Sequence, residues 1–185
     1  MNFVKITHRG AILTIPDFLA PLWPYDLPPD RWPTFCGAGQ GFGDAIVPDT
    51  IQGVIISPAG LCHDIEFSVS AKTISAFMGA NGRFFLNIVA LIMASDLLPV
   101  WKKIKALMKA GALYLTAVST MGVLFFSWFS GSKKEDTDPF KNPTVIDRLR
   151  RLAKARNDYW ANPDERFQDN EDVLYRDDEK GAADA

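Results

Sequence analysis

The chain has 185 residues, enough for one sizeable hydrophobic core or for a smaller core with an appended arm. With 48% hydrophobic and 23% charged residues it is not a wholly disordered chain, and 12 prolines and 13 glycines leave room for long irregular stretches. A formal net charge of -2 excludes overall attraction to nucleic acid, and two cysteines exclude the dense disulfide framework of a small secreted scaffold.

The first residues, Met1 to Arg9, lack the uninterrupted apolar block of a signal peptide, so export would need another route. Residues 1–34 then carry Pro16, Pro21, Pro24, Pro28, Pro29 and Pro33 interleaved with Phe18, Leu22, Trp23, Tyr25 and Trp32. Prolines break helices and central strands while the rings supply packing surface, so the segment reads as an extended, wrapping arm, with a peptide-like docking arm as its rival. Residues 35–43 form a glycine-rich loop that continues through Asp44 to Asp49. Cys36 lies in this loop and Cys62 in the segment after it; their spacing allows either a bridge or two thiols.

A helix is predicted from Ser57 as N-cap, with Pro58 in the first turn and His63, Asp64 and Phe67 inside it. After a break over residues 68–73, a second helix starts near Ile74 or Asn81 and runs through Phe84, Phe85, Ile88, Leu91 and Ile92. Residues 96–99 interrupt it, and a third helix with a basic side begins at Val100. Residues 110–129 contain no acid or base other than Tyr114 and match a bilayer span in length. Thr116, Ser119, Thr120, Gly122 and Ser127 dilute that hydrophobicity, which favours a buried or interface helix over a membrane-inserting one. Residues 131–162 comprise a linker and a basic amphipathic helix from Pro143, with Thr144 as its cap; that helix is read equally as a solvated helix on the core or as an interaction helix. Residues 163–185 form an acidic tail expected to be mobile.

The chemistry sits in the paired segments. Neighbours on a helix point roughly 100° apart, so His63 and Asp64 perform separate jobs at one cleft. Asp64 offers hard carboxylate oxygen to a cation, alongside backbone carbonyls of the glycine-rich loop. His63 can take a proton from water. The combination points to attack of water on an ester, with a cation stabilising the developing oxyanion. A His-Asp dipeptide and a loose Gly-x-Gly are each common by chance, and a satisfied histidine or a salt-bridged surface acid is the plain alternative.

Phe35-Cys36-Gly37-Ala38-Gly39, His63-Asp64-Ile65-Glu66-Phe67 and Ala80-Asn81-Gly82-Arg83-Phe84 together resemble the calcium-dependent phospholipase A2 family over residues 35–95. That family has an aromatic-Cys-Gly-x-Gly metal loop, a helix with His-Asp-x-x-Tyr and a later helix with Ala-Asp-x-x-Phe. Val47-Pro48-Asp49-Thr50-Ile51 with Ser57-Pro58-Ala59 is similar to small phage-encoded relatives.

The resemblance implies a mainly α fold: a core of two antiparallel helices preceded by a glycine-rich metal-binding loop within residues 35–130, plus extra C-terminal helices. It implies calcium held by the carbonyls of Phe35, Gly37 and Gly39 and by the Asp64 carboxylate. His63 would be the general base, oriented from the position of Asn81, and the sn-2 ester of a glycerophospholipid the substrate. Two departures stand out, Asn81 where the family has aspartate and Phe67 where it has tyrosine. An amide oxygen accepts a hydrogen bond but gives an imidazolium no charge stabilisation, so hydrolysis is expected to be weak or lost. The alternatives are a non-enzymatic phage virion or assembly component on the same scaffold, and a membrane-disrupting protein. The expected partners are a phospholipid surface and proteins of an assembly, with no nucleic acid. The expected locations are a virion, a host cytoplasm or a membrane periphery.

Overall fold

The computed structural model describes residues 1–35, 49–70, 73–116 and 138–162. The described residues form a mostly helical domain with two small antiparallel sheets. The chain opens with a hairpin of β1 (Phe3–His8) and β2 (Ala11–Pro16), in register from Phe3 opposite Pro16 to His8 opposite Ala11. Its two-residue turn, Arg9 (φ 48) and Gly10 (φ 79), has positive φ at both positions, the requirement of a turn whose twist matches the strands. Burial alternates along both strands, and Ile6, His8, Leu13 and Ile15 face the core. A second, minimal hairpin joins β3 (Thr50–Ile51) to β4 (Val54–Ile55) through Gln52 (φ 55) and Gly53 (φ 84).

The first hairpin and the turns after it replace the extended arm expected over residues 1–34. Two short 3-10 turns, Asp17–Leu22 and Pro29–Arg31, come after β2, and Leu19, Trp23, Leu27 and Trp32 join Leu13 and Ile15 in the same hydrophobic core as the helices. Each such fully buried leucine or isoleucine contributes about 2 kcal/mol, so this segment is a structural part of the core. The prolines break regular structure only after the hairpin, where no ladder N–H is needed.

Four α-helices are described: α1 (Ser57–Val69), α2 (Ile74–Ala94), α3 (Val100–Thr116) and α4 (Pro143–Ala161). Helix α1 begins with Pro58 in its first turn, as expected, but Ile56 is its N-cap. Ser57 lies inside the first turn with its hydroxyl donating to Asp49 Oδ1 at 3.0 Å. Helix α2 takes the earlier of its two expected starts, because Thr73 caps it by accepting from the Ala76 N–H at 3.1 Å. Helix α4 is capped by Asn142, which accepts from the Thr144 N–H at 2.9 Å, so Thr144 is capped rather than capping.

His63 meets Asn81 and Phe84 while Phe67 meets Phe77, so α1 and α2 run in opposite directions. Buried Asn87 ties α2 to the hairpin: its Oδ1 accepts from the Thr14 N–H at 2.8 Å and its Nδ2 donates to the Thr14 carbonyl at 2.9 Å. Thr14 sits where β2 points both backbone groups away from β1, and the carboxamide satisfies them as another strand would. By length and composition α2 is the one helix among the described residues that could cross a membrane; here it packs against β2, α1 and α3. The expected apolar helix over 110–129 is described only to Thr116, where it continues α3; the rest of that stretch, the loop over 36–48 and the tail over 163–185 lie outside the described residues.

Candidate functional site

Helices α1 and α2 bring together the two polar side chains that the sequence pairs. His63 Nε2 lies 2.8 Å from Asn81 Oδ1. The carboxamide oxygen can only accept, so Nε2 is the donor in this contact, and in a neutral ring Nδ1 then carries the lone pair. Phe84 packs beside the imidazole with ring centroids 4.7 Å apart, and Phe67 stacks on it at 5.7 Å. The ring is therefore wedged between aromatic side chains and held at one nitrogen, with the other presented toward Asp64, whose Oδ1 is 3.8 Å from Nδ1. Asn81 itself is buried, and its Nδ2 has no hydrogen-bond partner among the described residues; Phe67 has no hydroxyl to offer it.

Asp64 is held from the far end of the chain. Arg148 on α4 donates to Asp64 Oδ2 through Nε at 3.1 Å and Nη2 at 2.9 Å. Both groups are largely shielded, the arginine at 13% and the aspartate at 21% side-chain exposure, so the pair is screened less than a surface one. Two arginines of α4, Arg148 and Arg151, turn toward the core, while Arg150 and Arg156 are exposed. Arg151 donates to the Thr34 carbonyl at 2.6 Å and stands over the Phe35 ring, 5.3 Å from its centroid, with Arg148 at 5.9 Å from the same ring.

Phe35, the last described residue before the glycine-rich loop, is buried, and its N–H donates to Asp49 Oδ1 at 3.2 Å. The same oxygen receives the Ser57 hydroxyl, and the Asp49 carbonyl accepts from the Ile56 N–H at 2.8 Å. Asp49 thus pins both ends of the loop to the start of α1. Gly37, Gly39 and Cys36 lie outside the described residues. Cys62 is a buried free thiol, held well above the ordinary thiol range by burial and by the Glu66 carboxylate, which makes it a packing residue rather than a nucleophile. Glu66 is buried and receives both Nε and Nη2 of Arg83, which also lies over the Phe3 ring at 4.1 Å.

Of the expected calcium donors, Phe35 and Asp64 are among the described residues, and the Asp64 carboxylate is matched to a guanidinium. A divalent ion on Oδ2 would stand against Arg148 on the same oxygen, whereas Oδ1 faces His63 Nδ1 at 3.8 Å. Sequence reasoning named His63, Asp64 and Asn81, which lie together here, and did not single out Asp49, Arg83 or Arg148, which contact or neighbour them. The helical spacing of Arg148 and Arg151 marks a shared face of α4 but not the carboxylate it meets.

No protein-family model matches the chain, and comparison with curated proteins and with solved structures returns no match.

Proposed function

We propose that this chain is a phospholipase A2-like protein in which His63 acts as the general base for hydrolysis of phospholipid acyl esters, at a rate strongly reduced by Asn81. The observation that supports this reading best is the 2.8 Å contact from His63 Nε2 to Asn81, which leaves the Nδ1 lone pair to take a proton. Water would lose that proton to Nδ1 as its oxygen bonds the carbonyl carbon, and the imidazolium would return it to the departing alkoxide as the ester C–O bond breaks. The amide of Asn81 orients the ring through both steps but carries no negative charge to stabilise the imidazolium. Contact with a lipid surface is supported by α3, where Trp101, Ile104 and Met108 are exposed beside Lys102, Lys105 and Lys109 in a helix without acidic residues.

Fatty-acid release from mixed phospholipid vesicles, with calcium present, tests the assignment. The wild-type protein is expected to turn over slowly, His63→Ala to lose about 10²-fold or more, and Asn81→Asp to gain at least roughly 10-fold. Absence of release from both the wild-type and the Asn81→Asp protein would remove the hydrolase reading. The exposed apolar side chains of α2 and α3, Met78, Leu86 and Met93 among them, favour a second reading, a non-enzymatic assembly component. Light scattering that finds a monomer at all concentrations would count against it.

A further inference from the structure

Arg148 reaches Asp64 from 84 residues away and gives it two charge-assisted hydrogen bonds in a partly dehydrated setting. Asn142, six residues earlier, donates from Nδ2 to the Ser68 carbonyl at 3.1 Å, and Val145 and Leu152 are buried, so the arginine arrives on a helix already fixed against α1. The charge at Asp64 is therefore answered within the chain. From this geometry we infer that Arg148 is the resident cation of the site. It holds Oδ2 of the carboxylate that a divalent ion would need and sets a positive charge beside Oδ1, so the site operates, or is held, without calcium.

Two features support the guanidinium as a replacement rather than a chance surface contact. Arg148 is only 13% exposed and stands over the Phe35 ring, so it is fixed by a carboxylate on one side and an aromatic face on another. Its other nearby acid, Asp147 at 3.6 Å from Nη1, is more than half exposed and is a weak competitor for the guanidinium. A calcium ion would have to shed several waters and either displace Arg148 from Oδ2, leaving a partly buried cation without its partner, or bind Oδ1 alone beside the guanidinium charge; both are unfavourable for a site with one described carboxylate.

The inference does not depend on hydrolysis, because it is read by calcium binding alone. Calcium titration by NMR and calorimetry is carried out on the full chain as wild type, Arg148→Gln, Arg148→Lys, Asp64→Asn and the Arg148→Gln/Asp64→Asn double variant. The wild type and Arg148→Lys are expected to show no Asp64-dependent binding up to about 10 mM, ten times the weak end of ordinary extracellular sites. Arg148→Gln is expected to gain binding in the range of about 10⁻⁴ to 10⁻³ M that the double variant loses. The α-helical circular dichroism of each variant checks that the fold is kept, and the lysine variant retains the charge if the glutamine variant loosens α4. Wild-type binding that Asp64→Asn abolishes overturns the inference, and so does an Arg148→Gln protein that folds and still ignores calcium.

Discussion

At the scale of single residues, His8 shows how burial turns a common side chain into a pH-dependent element of stability. It is 3% exposed, accepts a hydrogen bond at Nδ1 from Trp23 Nε1 at 3.2 Å, and lies edge-on to Trp23 and Trp32. Burial first, and the neighbouring Arg9 charge second, lower its pKa from 6.5 to about 4. In the unfolded chain the imidazole takes up a proton as pH falls below its ordinary value, whereas the folded protein resists until about 4. The stability contributed by neutral His8 is thus complete above pH 6.5 and is lost as pH falls toward 4. The loss approaches about 3 kcal/mol. Urea unfolding of wild type and His8→Gln at pH 7 and 4.5 should show a steeper decline in the wild type; parallel profiles would refute the assignment.

Helix α2 carries the clearest lesson about which elements sequence discloses. Its apolar spacing makes the helix readable, while its start, open in sequence between Ile74 and Asn81, is set by the Thr73 cap; the partnership of His63 with Asn81 stems from the positions of two short motifs. The hairpin is hidden because prolines and large aromatics dominate residues 1–34, although the alternation of Ile6 and His8 with exposed residues and the Arg9-Gly10 turn are its signature. Ser57 and Thr144 satisfy the usual cap pattern, yet Asp49 takes the serine hydroxyl and Asn142 takes the threonine N–H; a cap depends on which partner is nearest in space. Arg148 could not be assigned because nothing local states which acid an arginine on a distant helix will meet.

The two glycines of α2 give that helix a matched test. Gly82 is exposed and a Cβ there would meet nothing within 4 Å, so Gly82→Ala should raise stability by about 1 kcal/mol through helix propensity alone. At Gly79 a Cβ would come within 2.9 Å of Arg83 Nη2, and that guanidinium is fixed on buried Glu66. Gly79→Ala should therefore fall below Gly82→Ala by at least about 1 kcal/mol in chemical denaturation. Equal gains from both substitutions would show that Arg83 is free to swing aside.

For the molecule as a whole, α4 ties the N-terminal segment to α1. One end is tied through Asn142 and Arg148 to α1, and the other through Arg156 and Trp160, which donate to Asp26 Oδ2 at 2.9 and 2.8 Å. Burial would raise the Asp26 carboxyl, but the hydrogen bonds from Arg156 and Trp160 outweigh it and hold the group below its ordinary value. Removing this second tie with Asp26→Ala should lower amide protection over the last two turns of α4 roughly fivefold, near the upper weight of one exposed ion pair. The turns around Val145 should keep theirs. Uniform deprotection of the helix, or none, in hydrogen exchange would show that the two ends are not separately anchored.

The separation of Asp64 from Arg148 also sets an order of events during synthesis. A ribosome adding roughly 5 to 20 residues per second needs on the order of ten seconds to pass from one to the other. In that interval the hairpin, α1 and α2 have left the peptidyl centre, so the imidazole can find Asn81 while the acid beside it is still without its counter-charge. The last of the described helices to be made is the one that neutralises it, and a nascent chain stalled before residue 148 would present an open carboxylate that the finished protein does not.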